Sequence, residues 1–236
     1  MYKKYIGEGS LLLIGLLFGF SGVIAKYLSA WLNPYQVVEY RFFIAFVSAI
    51  VVFILSGQKL QFNKVNIKTL VLFAVTLPIS SILFTLAIFN SSVSLAVFSF
   101  YIANLASSFV VGKLYFGEAI THNKKTALFF IILAIVAFTN PFDHFVIKIG
   151  FIYGILSGIF QTLASAFQKL VGQSADRMGL LITQTFAGVV LSVIAITATG
   201  SNLVGNMPQP ALLITIFFGV TYLVIAYLFL VGFKYV

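Results

Sequence analysis

Glu39 and Arg41 are the only charged side chains that stand well inside an apolar stretch of this sequence, the run from Tyr35 to Leu55. Placing an ionised side chain in a hydrocarbon layer costs about 2.5 to 3.5 kcal/mol on insertion scales, so such residues usually face a cavity or a partner. Two residues apart on a helix, they point to nearly opposite faces and do not pair with each other. Lys26, in the preceding apolar stretch, is the partner expected for Glu39. For Arg41 two readings stand. One is a role facing a small molecule or a gate; the other is snorkelling, in which the long stem lifts the guanidinium to the interface from about two turns below Pro34.

The remaining polar candidates are neutral. Asn104, Gln161, Gln168 and Gln184 interrupt apolar stretches and suit either hydrogen bonds between helices or contacts to a bound molecule. Tyr101, Tyr222 and Tyr227 suit either a cavity wall or plain packing. Glu118 lies among Lys113, Lys124 and Lys125, where an ion pair or a helix cap is expected. His122 and His144 have no metal-ligand spacing with each other or with a carboxylate, so neither metal nor cofactor is expected. No Ser-His-Asp spacing, H-E-x-x-H or G-x-x-x-x-G-K-[ST] loop occurs, and the chain does not read as an enzyme.

The elements that would position these residues are membrane spans. From Met178 through Phe233, and again from Thr69 through Gly112, there is no charged side chain at all. A helix needs about 20 residues to cross the hydrocarbon core, so each run holds two spans folded back at a turn. Hydrophobic residues make up 61% of the chain and charged ones 8%, with a mean hydropathy of +1.11. Little remains for an aqueous domain. The net charge of +9 suits the anionic inner leaflet better than nucleic acid, for which no basic, aromatic-interleaved segment is present. There is no cysteine, hence no disulfide framework. Lys3 and Lys4 before an apolar core resemble a signal peptide, but the apolar run continues to Ala25 and reads as a first span.

The expected spans are Ser10 to Tyr27, Tyr35 to Leu55, Thr69 to Phe89, Val93 to Phe116, Thr126 to Asn140, Ile149 to Leu170, Met178 to Thr199 and Ala211 to Phe233. The class is an all-α integral membrane bundle of eight transmembrane helices, broken at Asn33-Pro34, Ser56-Gly57, Asn90-Ser91-Ser92, Asn140-Pro141 and the Gly200 to Pro210 stretch. With the N-terminus cytoplasmic, all but Lys26, Arg41 and Lys148 of the 14 cations fall on the inner side. That bias predicts a multi-pass protein of the cytoplasmic membrane with both chain ends inside, and Trp31 in the outer interfacial belt. Gly15, Gly19 and Gly22 share one face of the first span; Gly150, Gly154 and Gly158 share one of the sixth. Such faces serve close helix packing, a backbone-lined cavity or a moving interface.

Several of these residues together resemble the EamA domain of the drug/metabolite transporter superfamily. The pattern Gly19-Phe20-Ser21 through Lys26, then Asn33-Pro34-Tyr35 leading into Arg41-Phe42 and Ala45, is similar to that domain's opening helix pair. Gly117-Glu118 followed by Ala119-Ile120-Thr121 resembles its "GE" signature after the fourth helix. The resemblance implies two five-helix repeats of opposite orientation. The first would be 1–148 and the second, incomplete, 149–236. Sliding the chain by 143 residues sets Lys26 over Lys169, Gly15 over Gly158 and Arg41 over Gln184. Two departures stand out: Asn104 falls near the place of the family's usual proline, and the chain stops where a ninth helix would begin.

The function implied is secondary transport, as an exporter of small metabolites, amino acids or drug-like molecules by alternating access. The pathway would draw on Arg41, Glu39, Lys26, Tyr101, Asn104, Gln161, Gln184 and Tyr222. Such a protein has no ATPase of its own and is driven by a gradient or exchanges passively. Its partners would be the small-molecule substrate, the lipid bilayer and, in one arrangement, a second copy in a homodimer. The other class the sequence allows is a non-transporting membrane scaffold or assembly partner. Because the second repeat ends short, the chain is expected to belong to a parent of roughly 285 residues and not to transport alone.

Overall fold

The computed structural model describes residues 2–57, 66–119, 121–122, 125–130, 133, 149–172 and 175–235. Seven long helices run through them: α1 (Tyr2–Leu28), α2 (Pro34–Ser56), α3 (Ile67–Phe89), α4 (Val93–Phe116), α5 (Ile149–Val171), α6 (Arg177–Ala198) and α7 (Gln209–Tyr235). Six of them, α2 to α7, are long and apolar enough to cross a membrane, as a multi-pass membrane protein requires; the apolar part of α1, Leu12–Leu28, is shorter. Each falls within a few residues of an expected span. Of the expected fifth span, Thr126 to Asn140, residues 126–130 and 133 are helical, and the remainder lies outside the described residues, as do His144 and Lys148.

The boundaries follow from local chemistry. Asn33 Oδ1 accepts from the Gln36 amide at 2.9 Å and Gln36 Oε1 accepts from the Asn33 amide at 3.0 Å, so a capping box followed by Pro34 starts α2. Ser92 and Asp176 cap α4 and α6 in the same manner. Gly57 (φ 60°) and Gly117 (φ 64°) end α2 and α4 in the left-handed conformation that glycine adopts without strain. The chain folds back at Gly117, bringing the Glu118 side chain against Gly112.

Lipid supplies no hydrophobic force between helices, so close packing and hydrogen bonds must hold them together. α5 packs against α3 and α4, α2 against α6 and α7, α3 against α6, and α1 against α7. The glycine stripe of α5 makes its approach possible. A Cβ on Gly150 would stand 2.7 Å from Ser91 Cβ, and one on Gly154 would stand 2.9 Å from Ser99 Cβ. Ser80 Oγ donates to the Ser157 carbonyl at 2.9 Å, and Ser157 Oγ donates to the Ser80 carbonyl at 2.7 Å, a reciprocal clasp between α3 and α5. Thr162 Oγ1 donates to the Asn104 carbonyl at 3.0 Å, joining α5 to α4. The α1 stripe divides: a Cβ on Gly22 would meet Val93 at 3.2 Å, whereas Gly15 and Gly19 have no neighbouring atom within 4 Å among the described residues.

Two apolar clusters occupy opposite ends of the bundle. One joins Leu28, Leu32, Val37, Ile88, Ala96 and Ala211, at the end where α1 and α3 finish and α2, α4 and α7 begin. The other joins Phe73, Val171, Met178, Leu181 and Leu230, where α3 and α6 begin and α5 and α7 finish. A third cluster, Val38, Phe42, Ala45 and Tyr222, lies in the interior beside the buried polar groups.

Candidate functional site

Arg41 occupies that interior. It is 5% exposed, and its guanidinium carbon lies 5.4 Å from the Phe42 ring centre and 5.1 Å from those of Phe218 and Tyr222. Three aromatic rings thus surround a cation and supply part of the stabilisation that water would give. The guanidinium turns inward, so the snorkelling reading does not hold. Two glycines let the neighbouring helices come this close: a Cβ on Gly188 of α6 would collide with the Phe42 ring, and one on Gly219 of α7 would lie 3.2 Å from the Arg41 carbonyl. Phe42 and Tyr222 meet edge to face at 4.9 Å, which fixes α2 against α7 beside the arginine.

The rings leave Arg41 with unmet donors. Its Nε and Nη2 have no hydrogen-bond partner, nor does Gln184 Nε2, all fully shielded, while the Tyr222 hydroxyl faces Ser81. An unmade bond at a buried donor costs about 1 to 3 kcal/mol, more for a charged one, so unmet donors clustered in one place call for an explanation. All three residues line one cavity, together with Ser80, Ser81 and Gln161. The space open to the centres of water molecules there is about 40 Å³, room for a few waters. Phe18, Phe84, Phe100 and Phe218 form much of the apolar wall, and α1 through α7 each contribute to it.

The lining holds one cation and no acidic residue. Of the carboxylates in the sequence, Glu118 and Asp176 sit at helix ends outside the cavity. Glu39 is half-buried on another face of α2, also outside it. The expected pairing of Glu39 with Lys26 is not made. Lys26 Nζ donates instead to the Ile88 carbonyl at 3.3 Å, in the last turn of α3, where carbonyls have no donor within the helix and the helix dipole favours a cation.

Of the residues picked out by sequence, the cavity therefore brings together Arg41, Gln161, Gln168, Gln184 and Tyr222, and leaves out Lys26, Glu39, Tyr101 and Asn104. Tyr101 is 41% exposed and lies edge-on to Phe100 at 5.3 Å. Asn104 is half-buried and joins α4 to α5 through its backbone carbonyl. Residues the sequence did not single out are Ser80, Ser81 and the phenylalanine wall. Pro78, one turn from Ser81, was also missed; it removes a backbone donor from α3 beside the cavity. Gln161 Oε1 accepts from Ser80 Oγ at 3.4 Å, which ties the wall to the α3–α5 clasp. Among the described residues no group of three or more His, Asp or Glu could hold a metal ion.

Comparison with known proteins adds a likeness of shape. No protein-family model matches the sequence, and no curated protein is a significant match. A solved structure, described only as the crystal structure of a protein, superposes with a TM-score of 0.74 at 14% identity, over 99% of this chain and 79% of that one. At that identity the likeness speaks for a shared helical fold and for nothing of the chemistry within it.

Proposed function

We propose that the chain is a secondary transporter of small molecules, similar to the EamA transporters, in which Arg41 binds the cargo inside the bundle. The observation that carries this reading is a buried arginine with unmet donors, facing a cavity inside the bundle of a membrane protein. A purely structural arginine would satisfy its guanidinium. One that meets its partner only when cargo arrives leaves the donors waiting.

The helix pairing supports an inverted repeat. Exchange α1 with α5, α2 with α6 and α3 with α7, and the pairing of α1 with α7 becomes that of α5 with α3. Likewise α2 with α7 becomes α6 with α3, and α2 with α6 maps onto itself. The same exchange relates Arg41 to Gln184 and Phe18 to Gln161, and all four line the cavity. Binding between two such halves is the arrangement in which alternating access works by rocking one against the other. Residues 1–148 and 149–236 would be the two units, with both chain ends cytoplasmic. The apolar clusters at the two ends would then be the gates.

The test is counterflow of labelled candidate metabolites into proteoliposomes that hold residues 1–236. Saturable, gradient-sensitive flux that falls in Arg41→Lys at normal membrane expression supports the reading, because lysine keeps the charge and loses the planar fork. Absence of flux, with stoichiometric recovery of a partner protein, would favour a scaffold.

A further inference from the structure

Resting on the transport reading, we propose that the Arg41 cavity takes a monocarboxylate: one ionised carboxylate carried on a compact apolar or aromatic body. The three aromatic contacts of Arg41 leave its Nε and Nη2 free of partners. Those two nitrogens form the edge of the guanidinium that binds a carboxylate through two parallel hydrogen bonds. Gln184 Nε2, buried and unpartnered, is a further donor in the same lining, and the Tyr222 hydroxyl, which faces Ser81, lines the cavity with it. An ionised carboxylate accepts up to about four hydrogen bonds and donates none, which matches a cluster of unmet donors.

Charge narrows the class further. With a single cation in the lining and no acid, a monoanion makes the filled site neutral. A dianion such as a phosphate monoester would leave a net charge in a low-dielectric interior, and an organic cation would meet repulsion with no counter-charge. The ammonium of an amino acid would find only neutral acceptors. The phenylalanine walls suit the apolar body of such an acid. That body does not fit the cavity, so binding requires the apolar cluster at one end to part.

The probes are three sets matched in shape: phenylacetate, phenylacetamide and phenethylammonium; benzoate with its amide and amine; isovalerate with its amide and amine. The readout is the thermal unfolding midpoint of residues 1–236 in lipid nanodiscs as each is titrated at neutral pH. At least one carboxylate should raise the midpoint saturably and bind roughly tenfold or more tightly than its amide, with its amine weaker still. Arg41→Gln should abolish the preference for carboxylate over amide. Gln184→Leu removes an unpartnered donor, so it should fold normally and weaken carboxylate binding by roughly threefold or more. Equal stabilisation by amide or amine, no stabilisation by any of the three carboxylates, or a carboxylate preference that survives in both variants would each overturn the proposal. Carboxylate-selective binding without flux would leave this site standing and defeat the transport reading. Arg41-dependent flux of cations would do the reverse.

Discussion

Alanine at Gly158 should part α5 from α4, and the size of the effect can be worked from the contact. The added Cβ would lie 2.8 Å from the Asn104 amide nitrogen and 2.9 Å from Ala103 Cβ, and would press on the Phe100 carbonyl oxygen. Two of these three are backbone atoms and cannot rotate away. Ordinary contact begins near 3.4 Å, so the helices must separate by roughly half an ångström or more. Overpacking a well-fitted interface costs about 1 to 3 kcal/mol, and the Thr162 hydrogen bond across the same seam would add about 0.6 kcal/mol if lost. The expected loss is therefore about 2 to 3 kcal/mol. Gly19→Ala is the control: nothing among the described residues lies within 4 Å of its Cβ, and alanine is the better helix former, so stability should hold or rise slightly. Unfolding by sodium dodecyl sulfate in mixed micelles, followed by circular dichroism, measures both. If Gly158→Ala loses no more than Gly19→Ala, the α4–α5 seam is not packed as described.

Other consequences can be checked on the same footing. Ser80→Ala and Ser157→Ala should each destabilise by about 0.6 to 1.7 kcal/mol, and the double mutant should lose the sum to within about 0.5 kcal/mol, since each hydroxyl donates to the other residue's backbone carbonyl, which alanine keeps. Arg41→Met should change stability by less than about 2 kcal/mol while abolishing flux. The insertion cost of the charge, about 2.5 to 3.5 kcal/mol, is offset by three ring contacts of about 0.5 to 2 kcal/mol each. Gln36→Leu removes the hydrogen bond of 2.7 Å from Gln36 Nε2 to the Asn202 carbonyl and the Gln36 half of the α2 capping box, so amide exchange should quicken in the segment 200–208 and in the first turn of α2 while the rest of α2 keeps its protection.

Much of this architecture was open to a sequence reader because membranes simplify the physics. Charge-free runs and capping residues mark helix ends, and the expected Val93 to Phe116 span coincides with α4. Arg41 and Gln184 stood out as polar groups in apolar surroundings. The α5 stripe was visible because its glycines recur every four residues. Gly188 and Gly219 were not, since an isolated glycine does not announce the ring or helix that will lie on it. Helical geometry could say that Glu39 and Arg41 do not pair, but not that Lys26 would turn to the end of α3. Ser80 and Ser157 carry no local signal; each matters only through the other, on a different helix.

The claim at the centre of this account is that the Arg41 cavity opens alternately to the two sides of the membrane. Ser81 lines the cavity and is half-buried, and the chain has no cysteine, so Ser81→Cys gives a single label site. In sealed vesicles of known orientation, its reaction with a membrane-impermeant thiol reagent would be followed from each side. Cysteines at Gly57 and Asn90, beyond opposite ends of the bundle, serve as one-sided controls. The account predicts that the Ser81→Cys thiol reacts from both sides, more slowly than either control. Reaction from one side alone, or from neither, would contradict it.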